Sequence, residues 1–143
     1  MDAPSHAGQA TRAPRVLLVD DNTGMRRVLR GLLEDAGMQV VGEAADGLEG
    51  VAQAGTVHPE VVLMDWRMPR MNGVQATARI RSQLPEVQVV VFSSAEGAGM
   101  GVIARQAGAS AFVAKGTSPE QICAAVLAAW RQPPPPKTVP DSR

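Results

Sequence analysis

The chain runs Val61-Val62-Leu63-Met64-Asp65 and then turns through Trp66-Arg67-Met68-Pro69-Arg70-Met71-Asn72-Gly73. An earlier run, Val16-Leu17-Leu18-Val19, ends the same way, in Asp20-Asp21. Short continuous apolar runs of this kind read as parallel strands buried on both faces, and open α/β sheets bind ligands beyond the carboxyl ends of such strands. Three carboxylates are therefore expected at one crevice. Like charges that close repel unless a cation sits among them, and hard oxygen donors with room for water suit Mg²⁺. The arrangement fits a phosphate-handling site.

Working outward, strand-like and helix-like segments alternate five times, the pattern of a parallel sheet with helices on both faces. Strands are expected at about 15–20, 39–43, 60–65, 87–93 and 110–114, and helices at about 22–36, 47–54, 74–83, 96–106 and from 118 onward. In the first helix Met25, Val28, Leu29, Leu32 and Leu33 recur at helical spacing, with Asn22 as N-cap and Gly37 as the stop. Pro85 marks the loop before strand four, whose Val89-Val90-Val91-Phe92 is the most β-prone stretch and is expected at the centre of the sheet. Gly97, Gly99 and Gly101 make the fourth helix the loosest, each costing about 1 kcal/mol against Ala in a helix interior. The last helix opens with Ser118-Pro119-Glu120-Gln121, an N-cap, a Pro at the first position and a capping-box Gln, and shows Ile122, Val126, Leu127 and Trp130 on one face.

Three segments result: a flexible N-terminal tail at 1–14, one domain at 15–132, and a tail or linker at 133–143 that begins Pro133-Pro134-Pro135-Pro136-Lys137, a polyproline II spacer. The 143 residues, 45% hydrophobic and 20% charged, suffice for one core. Fourteen basic and fourteen acidic residues leave a formal net charge of zero, unlike the basic footprint of nucleic-acid binders or binders of anionic membranes. No run approaches the roughly 18 apolar residues of a membrane span or forms a signal-peptide core, so a cytoplasmic protein is expected, with proteins and small ions as partners. The single Cys123 reads as a small core hydrophobe. His6 and His58 are the only histidines, which excludes a phosphohistidine carrier or a Ser-His-Asp hydrolase.

Phosphoryl chemistry needs positioned donors around the equatorial oxygens of the transferring group. Ser93 ends strand four and offers a hydroxyl; Lys115 follows strand five and offers an ammonium on the same edge. Singly, such a Ser is usually a cap and such a Lys a solvated loop residue. Together with Asp20, Asp21 and Asp65 they form a set.

From about Arg15 to Gln132 the sequence resembles the receiver domain of two-component response regulators. The resemblance is carried by Asp20-Asp21, the block Asp65 to Gly73, the Phe92-Ser93 step and Ala111-Phe112-Val113-Ala114-Lys115, in family order and at family-like separations. It implies a flavodoxin-like (βα)5 fold with strand order 2-1-3-4-5. It implies that Asp65 takes a phosphoryl group from a partner histidine kinase or phosphotransfer protein. It implies Mg²⁺ held by Asp21, Asp65 and the backbone carbonyl of Arg67, with Asp20 acting through water. Lys115 would pair with a phosphoryl oxygen, Ser93 would bond another, and Phe112 would follow the movement of Ser93. The switch would be read on the face of the fourth helix, strand five and the last helix by a downstream protein, and the resemblance leaves room for a homodimer formed on phosphorylation. Self-phosphorylation and slow self-hydrolysis would be the only catalysis.

Three departures from the family pattern stand out. Gly116 follows the lysine where many receivers carry Pro, Ser94 follows the switch hydroxyl where Ala is usual, and Arg67 and Ala95 flank the phosphoryl position, where they would tune its lifetime. The wording around Ser93 and Gly116 leans towards the subfamily that usually carries a helix-turn-helix output domain, so the chain is read either as a stand-alone receiver or as part of a longer DNA-binding regulator. A haloacid-dehalogenase-like phosphatase would want an acid two residues after Asp65, where Arg67 stands. A flavodoxin-like cofactor binder, prompted by Asn22-Thr23-Gly24, would meet repulsion from Asp20-Asp21 and has little aromatic surface to stack on.

Overall fold

The computed structural model describes residues 13–94, 99–114 and 116–133. The expectations placed on Ala95, Gly97, Lys115 and most of both tails lie outside these residues. In chain order the elements are β1 (Arg15–Val19), α1 (Thr23–Asp35), β2 (Gln39–Ala44), α2 (Gly47–Val57), β3 (Val61–Asp65), α3 (Gly73–Gln83), β4 (Gln88–Ser93), α4 (Met100–Gln106), β5 (Ala111–Ala114) and α5 (Pro119–Arg131). The five strands form one sheet in the order β2-β1-β3-β4-β5, and every pairing is parallel.

Strand alternation divides the core in two. Val16 and Leu18 of β1, Val61 and Leu63 of β3, and Val90 and Phe92 of β4 pack against Leu29 and Leu33 of α1 and Ile122 and Val126 of α5. Leu17, Val19, Val62, Met64, Val89 and Val91 point the other way, against Ala54 of α2, Ala76 and Ile80 of α3 and Ala104 of α4. Helices on both faces explain why the strands read as unbroken apolar runs, since each side chain, whichever way it points, meets a helix. Each fully buried Leu or Val contributes about 1.5–3 kcal/mol by leaving water.

Local signals set the helix ends. The Asn22 side chain accepts from the Met25 N–H at 2.8 Å, Gly37 takes φ 89° beyond α1, and Ser118 and Gln121 form a capping box with Pro119 opening α5. Four expectations are corrected. The centre of the sheet is β3, with β4 between β3 and β5; all six residues of β4 are buried, because a β-prone run reports burial on both faces and not rank in the sheet. Val28 is 59% exposed and faces away from the core side of α1. α2 continues to Val57, where His58 closes it in a left-handed conformation at φ 49°. α4 begins only at Met100, with Gly99 as its N-cap at φ 87°, a value glycine reaches without steric cost, so this glycine bounds the helix and does not weaken its interior.

Candidate phosphoryl-accepting site

Sheet register assembles the site before any side chain is considered. Val19 pairs with Met64, so Asp20, the next residue, stands at the level of Asp65. Asp65 pairs with Phe92, which puts Ser93 one residue farther out, and Ser93 pairs with Ala114, where β5 ends. The expected phosphate-binding Lys115 that follows lies outside the described residues.

Asp20, Asp21 and Asp65 each bring one carboxylate oxygen into a group whose members lie within 4.8 Å of one another. Asp20 and Asp65 are buried, at 0% and 3% exposure, while Asp21 reaches solvent. Asp20 is oriented by its own turn: its Oδ1 accepts from the Asn22 N–H at 2.9 Å, its N–H donates to the Ala44 carbonyl at 3.0 Å, and its carbonyl accepts from Arg26 Nη1 at 2.6 Å. Arg26 in turn meets Glu43 at 3.0 Å, and Arg30 meets the same carboxylate at 2.6 Å. The hydrogen bond from Arg30 and then that from Arg26 hold Glu43 below the usual carboxylate range. Ser93 is buried at 1% exposure, and Arg67 and Ser94 are exposed.

The loop from Asp65 to α3 closes on itself. The Trp66 N–H donates to the Phe92 carbonyl at 2.9 Å, and the Trp66 carbonyl accepts from the Gly73 N–H at 2.7 Å. A Cβ on residue 73 would sit 2.1 Å from the Asp65 carbonyl oxygen, so only glycine allows this closure. Asn72 and Gln75 then start α3 with a reciprocal capping box. Phe112, half-buried on β5, places its ring edge-on to Trp66, with centroids 5.7 Å apart and planes at 86°. This T-shaped contact is a favourable aromatic arrangement, and it ties the expected switch aromatic to the residue next to Asp65.

One contact between the loops after β2 and β3 escaped the sequence reading. Arg70 adopts φ 70°, and its Nε and Nη2 both donate to Asp46 Oδ2, at 3.0 and 2.7 Å. Asp46 also caps α2, its Oδ1 accepting from the Glu49 N–H at 2.8 Å. That backbone hydrogen bond, followed by Arg70, holds the Asp46 carboxyl below its ordinary value. The pair Asp46-Gly47 just after β2 was a readable helix start; its partner 24 residues on carries no local sign. A cleft of about 350 Å³ lined by His58, Glu60, Glu86 and Trp130 lies at the opposite, amino edge of the sheet and shares no residue with the acid group. No helix among the described residues is long and apolar enough to cross a membrane.

Known proteins agree with this architecture. The family described as the response regulator receiver domain matches residues 16–127. The chain is 37% identical over 112 residues to the chemotaxis protein CheY of Thermotoga maritima, covering 78% of this chain and 93% of that one. It is 41% identical over 107 residues to protein-glutamate methylesterase/protein-glutamine glutaminase 1 of Geobacter sulfurreducens, covering 73% of this chain but only 30% of that one. Among solved structures, the signal receiver domain of NarL from Mycobacterium tuberculosis superposes with a TM-score of 0.80 at 32% identity, over 83% of this chain and 97% of that one. With the sheet order, the strand-end acids and these matches in hand, the chain belongs to the receiver domains of two-component response regulators and serves signal transduction.

Proposed function

We propose that Asp65 is the phosphoacceptor of this receiver. The observation that carries the reading is the gathering of Asp20, Asp21 and Asp65 within 4.8 Å at the carboxyl ends of β1 and β3. A carboxylate oxygen of Asp65 attacks phosphorus as the P–N bond of a donor phosphohistidine breaks, and the electron pair of that bond stays with the imidazole nitrogen. The donor is a sensor histidine kinase or a phosphotransfer protein.

The donor set of the crevice is all hard oxygen, the chemistry that suits Mg²⁺. Asp21, Asp65 and the Arg67 carbonyl would hold the cation directly and Asp20 through water; bound there, it offsets the acidic charge and polarises the phosphoryl oxygens. This chain's own groups do the rest. Asp20 is held by its bonds to Asn22 and Ala44, the Asp65–Gly73 loop fixes the nucleophile, and Lys115 and Ser93 donate to phosphoryl oxygens. By the family pattern Arg67, Ser94 and Ala95 would flank the modified carboxylate and set how readily water reaches it. Catalysis is confined to self-phosphorylation and slow self-hydrolysis.

Output passes through α4, β5 and α5 to a protein, and this chain contacts neither nucleic acid nor membrane; an optional mode is a homodimer formed on phosphorylation. Val102 and Ile103, 56% and 47% exposed, supply apolar surface on α4. A second reading, a receiver joined to a DNA-binding or other output domain, is supported by the small share of the methylesterase that this chain spans. Its sign would be a reading frame that continues past Arg143.

The test couples metal and phosphate. With acetyl phosphate as donor, Asp21→Ala should lose Mg²⁺ binding and phosphorylation together. Full Mg²⁺-dependent labelling of that variant would rule out the metal role.

A further inference from the structure

The loops after β2 and β3 meet at the carboxyl edge of the sheet, the edge that carries the acid crevice. Asp46 divides its carboxylate, Oδ1 to the start of α2 at 2.8 Å and Oδ2 to the fork of Arg70 at 3.0 and 2.7 Å. Beside it the Gly47 N–H donates to the Met71 carbonyl at 3.1 Å, and a Cβ on residue 47 would stand 2.2 Å from that oxygen. Arg70 itself holds φ 70°, a region that residues with a Cβ occupy rarely and keep only where the surroundings over-determine it. At the other end of the loop, Trp66 is bonded through its N–H to Phe92 and through its carbonyl to Gly73. Arg67 lies between these two anchors.

We infer that Asp46 and Arg70 are positioning residues for the acid site, holding the β3–α3 loop so that the Arg67 carbonyl is presented to a divalent cation among Asp20, Asp21 and Asp65. The inference rests on the reading of that cluster as a Mg²⁺ site. Arg70 is largely exposed, and ion pairs in that setting contribute little to folding. Their loss should therefore be felt in the metal site and scarcely in global stability. Partners that hydrogen-bond a metal ligand directly change affinity by roughly 10–100-fold. This pair acts through backbone, so about a fivefold effect is expected.

Asparagine substitutions isolate the pair. Asn caps a helix as well as Asp, so Asp46→Asn keeps α2 started, and Asn tolerates the left-handed region, so Arg70→Asn removes the guanidinium without adding strain. Mg²⁺ dissociation constants are read from backbone amide shifts in a Mg²⁺ titration, and melting temperatures are taken without metal. Each single variant should bind Mg²⁺ about fivefold more weakly, the double variant no more weakly than either single, and Arg70→Lys should recover part of the loss. Metal-free melting should stay within about 3 °C of wild type. Unchanged affinity in either single variant, additive losses in the double, or affinity that falls only in step with melting temperature would overturn the inference. Should Mg²⁺ binding survive Asp21→Ala, the site reading falls and this inference with it; should Asp21→Ala abolish binding while the Asn variants bind normally, only the positioning role is lost.

Discussion

Gly73 shows how tightly the loop after Asp65 is drawn. A methyl group there would meet the Asp65 carbonyl oxygen at 2.1 Å and the Trp66 Cα at 2.9 Å, both backbone atoms that cannot swing aside. Gly73→Ala should therefore lower stability in urea unfolding by about 1–3 kcal/mol, the usual range for overpacking, and a midpoint equal to wild type would contradict the closure described. Asp46 makes a prediction of opposite kind. Its folded-state pKa lies below the ordinary value, so its bonds to Glu49 and Arg70 contribute stability that is present above about pH 3.9 and lost as pH falls through the folded-state value. The melting-temperature gap between wild type and Asp46→Asn, no more than about 3 °C, should thus be largest near neutrality and close on acidification, and a gap that widens in acid would reverse the sign assigned here. Residues of these two kinds differ in legibility. Asp20, Asp65 and Ser93 could be read because each ends an apolar run; the Asp46–Arg70 and Trp66–Phe112 contacts could not, because they depend on a left-handed turn and on side-chain packing across elements.

Among the described helices α4 is the shortest, with seven residues, an N-cap that makes no side-chain hydrogen bond and Ala104 alone fully buried. α1 contrasts with it, holding thirteen residues, an Asn22 cap and two buried leucines. Elements with few buried apolar contacts open most easily, and switching segments are drawn from them. Amide hydrogen exchange should be fastest in α4 among these helices, and beryllofluoride with Mg²⁺ should slow it in wild type but less in Ser93→Ala, since a ligand shifts such an equilibrium only through contacts that differ between the two states. Protection of α4 equal to that of α1 before modification, or full protection in Ser93→Ala, would remove the hydroxyl-driven switch. The glycines of this segment suggested a loose helix but not where α4 starts, because Gly99 acts as a left-handed cap and not as an interior residue. The exposed Val28 likewise fits the helical period of α1, which marks a stripe wider than the sheet can cover.

At the scale of the whole molecule, one alternation of strand and helix explains both fold and site. Parallel strands need crossovers, crossovers place helices on both faces, and every strand then delivers its carboxyl end to one edge. That logic made the five βα units and the acid edge legible from sequence, while rank within the sheet was not, since β3 and β4 carry equally buried runs and only pairing tells them apart. The same edge gathers Asp20, Asp21 and Asp65, and register sets Ser93 beside them. Loading of Asp65 with a phosphoryl group is the role proposed for this edge. Incubation with acetyl phosphate and Mg²⁺ followed by intact mass measurement should show one phosphoryl adduct on wild type and none on Asp65→Asn; an undiminished adduct on the variant would contradict it.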